Sequence, residues 1–140
     1  MNKEIIATDQ APAAVGPYSQ AVSAGDLIFT AGQLGIVPAT RQFAGPDIES
    51  QSRQALENIK AIVEAAGSCL EHVVKASVYL QDIQEWPKLN AIYAEYFPEN
   101  PPARCAFQVA ALPMGARVEI EVIAVACDCN DGNDCGCDCH

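Results

Sequence analysis

The spacing of apolar residues changes period several times along the chain. Two short apolar runs, Ala21–Ala24 and Leu27–Ala31, flank Gly25-Asp26. Such runs read as strands, and Gly-Asp between them predicts a hairpin, because a two-residue connection needs residues that tolerate positive φ. A short strand is predicted before them over Lys3–Thr8, followed by a loop through the small, proline-containing segment Ala11–Gly16. From Gly45 the period lengthens. Ile48, Ala55, Leu56, Ile59, Ile62, Val63 and Ala66 recur at spacings of three, four and seven, which places them on one buried helical stripe. Asp47 offers an N-cap oxygen to an orphan backbone N–H, and Gly67 a left-handed residue to end the helix.

Val73–Leu80 is β-branched, apolar and short, and predicts a strand with Val74, Ala76, Val78 and Leu80 on one face. Asp82 with Glu85 three residues on resembles a capping box. A second helical stripe follows in Trp86, Leu89, Ile92, Tyr93, Tyr96 and Phe97, with Pro87 tolerated in the first turn and Pro98, Pro101 and Pro102 as the stop. Ala103–Ala110 and Arg117–Cys127 alternate with period two around the turn Leu112-Pro113-Met114-Gly115, and predict a closing hairpin. The sum is an α+β fold: one mainly antiparallel sheet with two helices on one face. On the last strand Val118, Ile120, Val122 and Ala124 would face the helices. The other face, with Glu119, Glu121, Ile123 and Val125, is mixed, as suits a surface that packs on another subunit and also lines a polar cleft.

A length of 140 residues suits one domain, with little left over for a deep private pocket. Charge excludes some partners. Of the formal net charge of −10, Asp128, Asp131, Asp134 and Asp138 contribute −4 to a tail without Lys or Arg, which leaves −6 on the rest. Nucleic-acid affinity rests on neutralising phosphates with basic side chains, so neither nucleic acid nor an anionic membrane is an expected partner. No apolar run approaches a membrane span, and Met1–Gln10 lacks a secretory h-region, so a soluble, cytoplasmic protein is expected. Seven cysteines then read as thiols or metal thiolates rather than a disulfide framework. Two, Cys69 and Cys105, lie in a domain of residues 1–126. Five crowd an acidic tail, 127–140, where Cys127, Cys129, Cys135, Cys137, Cys139 and His140 are soft donors for zinc or copper(I). Their C-x-C spacing is not that of structural zinc sites, and a flexible acidic extension is the alternative reading.

Candidate chemistry concentrates in four places. Arg104 follows Pro101-Pro102-Ala103 and begins a strand; its planar fork can take a carboxylate with two charge-assisted hydrogen bonds, or it is simply an arginine at a strand edge. Glu119 and Glu121 project from the same strand face, where mutual repulsion can raise one pKa toward neutrality, unless that face is merely solvated. Gly16-Pro17-Tyr18 presents a hydroxyl on a turn, catalytic or structural, and Gly32 at a strand end lets a ligand approach the backbone. Cys105 is a weaker candidate nucleophile: His72 and His140 are the only histidines, neither pairs with it in sequence, and a thiol buried in a strand is usually a small hydrophobe.

Taken together, the segments Ala11–Gln20, Phe29–Gln33, Asn90–Tyr93, Pro102–Val109, Leu112-Pro113 and Val118–Ala124 resemble the Rid family, the reactive intermediate deaminases of the RidA/YjgF group, in order and spacing over about residues 3–126. The resemblance implies a chorismate-mutase-like fold assembled as a homotrimer, with a central barrel of sheets and active sites between subunits. It implies a cofactor-free 2-iminobutanoate/2-iminopropanoate deaminase that hydrolyses 2-aminoacrylate and 2-aminocrotonate to 2-oxo acids and ammonia, with no metal in the site. In such a site Arg104 holds the substrate carboxylate and Glu119 positions or activates water, while Tyr18, Gly32 and Asn90 complete the binding surface. Many bacterial members carry a cysteine two residues after the arginine; here that position is Ala106, and the thiol of Cys105 falls on the opposite strand face. Three other readings compete: a binding or regulatory protein with an inactive site, an endoribonuclease, and a metal-handling protein that acts through its tail.

Overall fold

The computed structural model describes residues 2–127. The elements are β1 (Lys3–Ile6), β2 (Ala21–Ala24), β3 (Leu27–Thr30), β4 (Gln33–Leu34), α1 (Ile48–Ala65), β5 (Val73–Leu80), α2 (Trp86–Tyr96), β6 (Ala103–Gln108) and β7 (Val118–Val125), with 3₁₀ turns at Leu70–His72, Ile83–Glu85 and Pro113–Gly115. The strands form one sheet in the order β1-β2-β3-β7-β5-β6, with β4 on β7. All pairings are antiparallel except β5 with β6. The α+β layer architecture expected from the sequence is therefore present, and no helix among the described residues is long and apolar enough to cross a membrane.

Local chemistry explains most boundaries. Gly25 sits at φ +60° in the β2–β3 turn. Asp47 caps α1 by accepting a 2.9 Å hydrogen bond from the Ser50 N–H. Gly67, at φ +83°, ends the helix, and the Ser68 N–H donates back to the Val63 carbonyl at 2.8 Å. The core lies between the helices and one sheet face. Leu56, Ile59, Ile62 and Val63 of α1 and Leu89 of α2 pack with Val78, Leu80, Val118 and Ile120, all fully buried.

Three expectations need correction. The last two strands are not a hairpin: β7 lies between β3 and β5, and β6 pairs parallel with β5. Helix α2 is a crossover that returns the chain in the direction of β5, and the turn at 112–116 then carries β7 across to the middle of the sheet. On β5 the core face begins with Val73 rather than Val74, because a register shift between Val73 and Lys75 reverses the alternation there. The Asp82–Glu85 pair is not a capping box. Asp82 accepts from the Gln84 N–H within a 3₁₀ turn, while Glu85 reaches Arg117 at 2.9 Å.

The strand break that shapes the site is the junction of β3 and β4. Phe29 faces Ile123 and Gln33 faces Ile120, so three intervening residues on one side lie opposite two on the other. The buried Thr30 hydroxyl fills the gap by accepting from the Val122 N–H at 3.0 Å, and the Ala31 N–H turns to the Gln20 carbonyl. Gly32 is thereby brought beneath the β7 side chain of Glu119.

Candidate functional site

A cleft of about 630 Å³ opens beside this break, lined by Tyr18, Gly32, Gln33, Arg41, Met114 and Glu119 among others. Its floor depends on glycine at 32. A Cβ there would run into the carboxylate of Glu119, so the absence of a side chain is what lets that carboxyl group lie down on the backbone. One wall is Pro12, which ends the loop at 8–12, with Ala13 and Val15 directly after it. The buried Gln20 holds that loop by donating to the carbonyls of Thr8 (3.0 Å), Ala11 (3.3 Å) and Pro12 (2.7 Å) and accepting from the Thr8 N–H (2.6 Å). One amide so placed satisfies backbone groups that no strand reaches. Tyr18 is exposed at the rim, its hydroxyl accepting a long 3.4 Å hydrogen bond from the Val15 N–H.

Glu119 is half-buried, and its pKa is raised, first by that burial and second by the nearby charge of Glu121. The two glutamates have different surroundings. Glu121 accepts a 2.7 Å hydrogen bond from the Tyr79 hydroxyl, which pushes the Tyr79 pKa up. No such donor is bonded to Glu119 among the described residues. The pair therefore divides into a glutamate that accepts from Tyr79 and one, Glu119, whose proton affinity is raised, as a general acid/base needs.

Arg104 stands elsewhere. Its guanidinium carbon lies 4.5 Å from the ring centroids of both Trp86 and Tyr93 of α2. Arg104 pairs with Ala76, which pairs with Val122, and both neighbours point into the core, so Arg104 projects from the helix-covered face of the sheet. Glu119 projects from the other face, opposite Tyr79 in register. Asn90 lies on α2 one turn from Trp86 and three residues from Tyr93, with the arginine rather than the cleft. The expected site residues thus form two groups in a single chain: Tyr18, Gly32 and Glu119 in the cleft, and Arg104 and Asn90 at the β6–α2 edge.

The open sheet face carries Ile5, Leu27, Phe29 and Phe107, all exposed, with Phe29 41% and Phe107 47% accessible. Cys105 is on this face too. It is exposed rather than buried, 3.7 Å from the Ser77 hydroxyl, because β6 is an edge strand that no described element covers on that side. Sequence reasoning missed Gln20 as the loop anchor and Arg41 as a cleft cation. Arg41 has φ +60° in a tight loop, and nothing in its sequence neighbourhood marks it. The proposed ligands of the tail lie outside the described residues except for Cys127.

Comparison with known proteins agrees with the geometry. The family model described as Endoribonuclease L-PSP matches residues 8–126. A RutC family protein of Pyrococcus horikoshii is 52% identical over 122 residues, covering 87% of this chain and 97% of the relative. A Bos taurus protein named 2-iminobutanoate/2-iminopropanoate deaminase is 50% identical over 123 residues, 88% of this chain and 90% of its own. Among solved structures, E. coli TdcF with bound serine superposes with a TM-score of 0.84 at 40% identity, over 87% of this chain and 98% of that one. With a family model matching residues 8–126, a superposable structure and close to half its residues shared, the chain belongs to the Rid/YjgF/L-PSP family.

Proposed function

We propose that the protein is a hydrolytic deaminase of 2-imino acids and their enamine tautomers, acting on three-carbon and four-carbon substrates such as 2-aminoacrylate and 2-aminocrotonate. The observation that carries this reading is the half-buried Glu119 carboxyl group with raised proton affinity, laid on Gly32 in the floor of the cleft. The likeness to relatives named for this deamination, and to a structure holding a small amino acid, supports the substrate class.

The chemistry needs little. Protonation of the enamine carbon by solvent gives the iminium ion. Water adds to its carbon, forming a C–O bond as the C=N π pair moves to nitrogen and Glu119 accepts a water proton, which gives a carbinolamine. Glu119 returns that proton to the nitrogen; the hydroxyl then loses its own proton to solvent as the C=O forms and the C–N bond breaks, releasing ammonia and a 2-oxo acid. One positioned acid/base group contributes about 10²–10⁴-fold. The residues assigned to this chemistry supply it without a cofactor. The Arg104 fork, backed by Trp86 and Tyr93, suits the substrate carboxylate, with Asn90 beside it; Tyr18 closes the rim.

Because Arg104 and Glu119 project from opposite sheet faces, one substrate can meet both only between two copies of the chain. The exposed Phe29, Leu27 and Phe107 give the open face the apolar surface such an assembly would bury, and we assign it to a homotrimer with a site in each subunit boundary. Residues 1–126 form the catalytic domain in this reading, and 127–140 an appended tail.

An RNA-cleaving reading has less to draw on. The cleft presents Glu119 to an anionic backbone, and His72, at the start of β5, lies roughly 20 Å from Tyr79 and Glu119 at its end by the rise of a strand. The deciding experiment measures ammonia from an enamine generated in situ by a serine or threonine dehydratase. Acceleration over the uncatalysed rate, abolished by Arg104→Ala and by Glu119→Gln in folded protein, supports the assignment. A rate equal to that of buffer, or full activity in both variants, overturns it.

A further inference from the structure

A second cluster of reactive side chains lies at the other end of β5, away from the cleft. Cys69 precedes the 3₁₀ turn Leu70–His72, and the His72 N–H donates to the Cys69 carbonyl at 3.0 Å, which folds the two side chains toward one side. Cys127 joins them from the end of β7. Its N–H donates to the Gly67 carbonyl at 3.0 Å, and the Ser68 hydroxyl donates to the Val125 carbonyl at 2.7 Å, so two hydrogen bonds clamp the end of β7 to the loop after α1. The Cys127 Sγ is 3.1 Å from the His72 Nδ1, and the donor atoms of all three residues lie within 4.8 Å of one another.

We propose that Cys69, His72 and Cys127 form a binding site for a soft divalent cation of the zinc type. Two thiolates and one imidazole are the donors such an ion prefers. Around a tetrahedral ion with Zn–S of about 2.3 Å and Zn–N of about 2.0 Å, ligand atoms stand roughly 3.5–3.8 Å apart, which the observed cluster reaches by small rotations. The scaffold is set in advance by backbone hydrogen bonds, which lowers the cost of ordering the ligands. There is also a route in. Cys69 and His72 line a surface cleft that they share with Glu64, Glu71 and Glu99, and Lys60 is the one cation among its lining residues. A fourth position is left to water; the sequence beyond Cys127 carries five further soft donors, Cys129, Cys135, Cys137, Cys139 and His140, which a test must remove.

The test uses the full chain with those five later donors replaced (four Cys→Ser and His140→Ala), reduced and titrated anaerobically with Zn²⁺, and with Co²⁺ as a spectroscopic probe. This parent should take up one equivalent and show thiolate-to-cobalt charge-transfer absorption. Adding Cys69→Ser, His72→Asn or Cys127→Ser should weaken binding by more than the roughly 10–100-fold that loss of an outer-shell partner costs. His72→Asn sits on a half-exposed turn and keeps the test open if Cys69→Ser does not fold. A parent that binds no Zn²⁺ overturns the proposal. So does unchanged affinity in both Cys69→Ser and His72→Asn, or a Cys69–Cys127 disulfide that survives treatment with excess reductant.

Discussion

The carboxylate of Glu119 occupies the space that a Cβ on residue 32 would need. The obstructing atoms are the far end of a flexible side chain rather than backbone, so Gly32→Ala should fold and leave thermal stability nearly unchanged. It should displace the Glu119 carboxyl group instead. A misplacement of about 1 Å can cost about 10²-fold in rate, and a loss of that order in kcat/KM with an unchanged unfolding midpoint is the expected result. Measured together, ammonia release and thermal melting check it; a stable variant with full activity would separate Glu119 from the chemistry.

The pKa shift of Glu119 also sets a stability dependence on pH. Burial, then Glu121, raise its folded-state value above the ordinary 4.5. Below 4.5 the carboxyl group is protonated in both folded and unfolded chains. As pH rises through the raised folded value, the native state must ionise a partly desolvated group, and its contribution to stability is lost. Glu119→Gln removes this term, so it should stabilise the protein toward neutral and higher pH and have no such effect in acid. Denaturant unfolding of both proteins at about pH 4 and about pH 8 reads it directly. Glu121→Gln should lower the proton affinity of Glu119 and move the acidic limb of the kcat/KM profile to lower pH, leaving the part due to burial.

Arg104 is held between two rings as well as charged, so charge alone should not replace it. Arg104→Lys keeps a cation but loses the planar fork and the stacking geometry. Its KM for imino acids should rise by about tenfold or more, the equivalent of about 1.4 kcal/mol, while Arg104→Ala should abolish turnover. Both should remain folded, because the stacking contributes only about 0.5–2 kcal/mol. Steady-state kinetics with a circular-dichroism melt distinguishes loss of binding from loss of fold.

Gln20 offers a test of the cleft wall. Gln20→Leu fills similar volume and strands the Thr8 N–H and the carbonyls of Thr8, Ala11 and Pro12 without their side-chain partner. An unsatisfied buried polar group costs about 1–3 kcal/mol, so the variant should be measurably less stable. The 8–12 loop should also exchange its amide hydrogens faster, Thr8 foremost. Equal protection in wild type and variant would show that strand β1 alone holds the loop.

Much of this molecule can be read from residue order. The α1 stripe, its Asp47 and Gly67 ends, the Gly25 turn and the alternation of Val118 to Val125 all depend on neighbours within a few residues, and local sterics and hydrogen bonding decide such features. The carboxylate pair on β7 was legible for the same reason, since a strand puts residues two apart on one face. The placement of β6 was not. Whether Ala103–Gln108 meets β5 or β7 depends on the crossover through α2, and both partners offer the same alternating pattern. Only the tertiary structure separates Arg104 from Glu119 across the sheet, gathers Cys69 and His72 beside Cys127 from positions 55 residues or more along the chain, and seats Glu119 on Gly32. All three are set by packing and register over the whole domain, and none leaves a mark in the period of the chain around these residues.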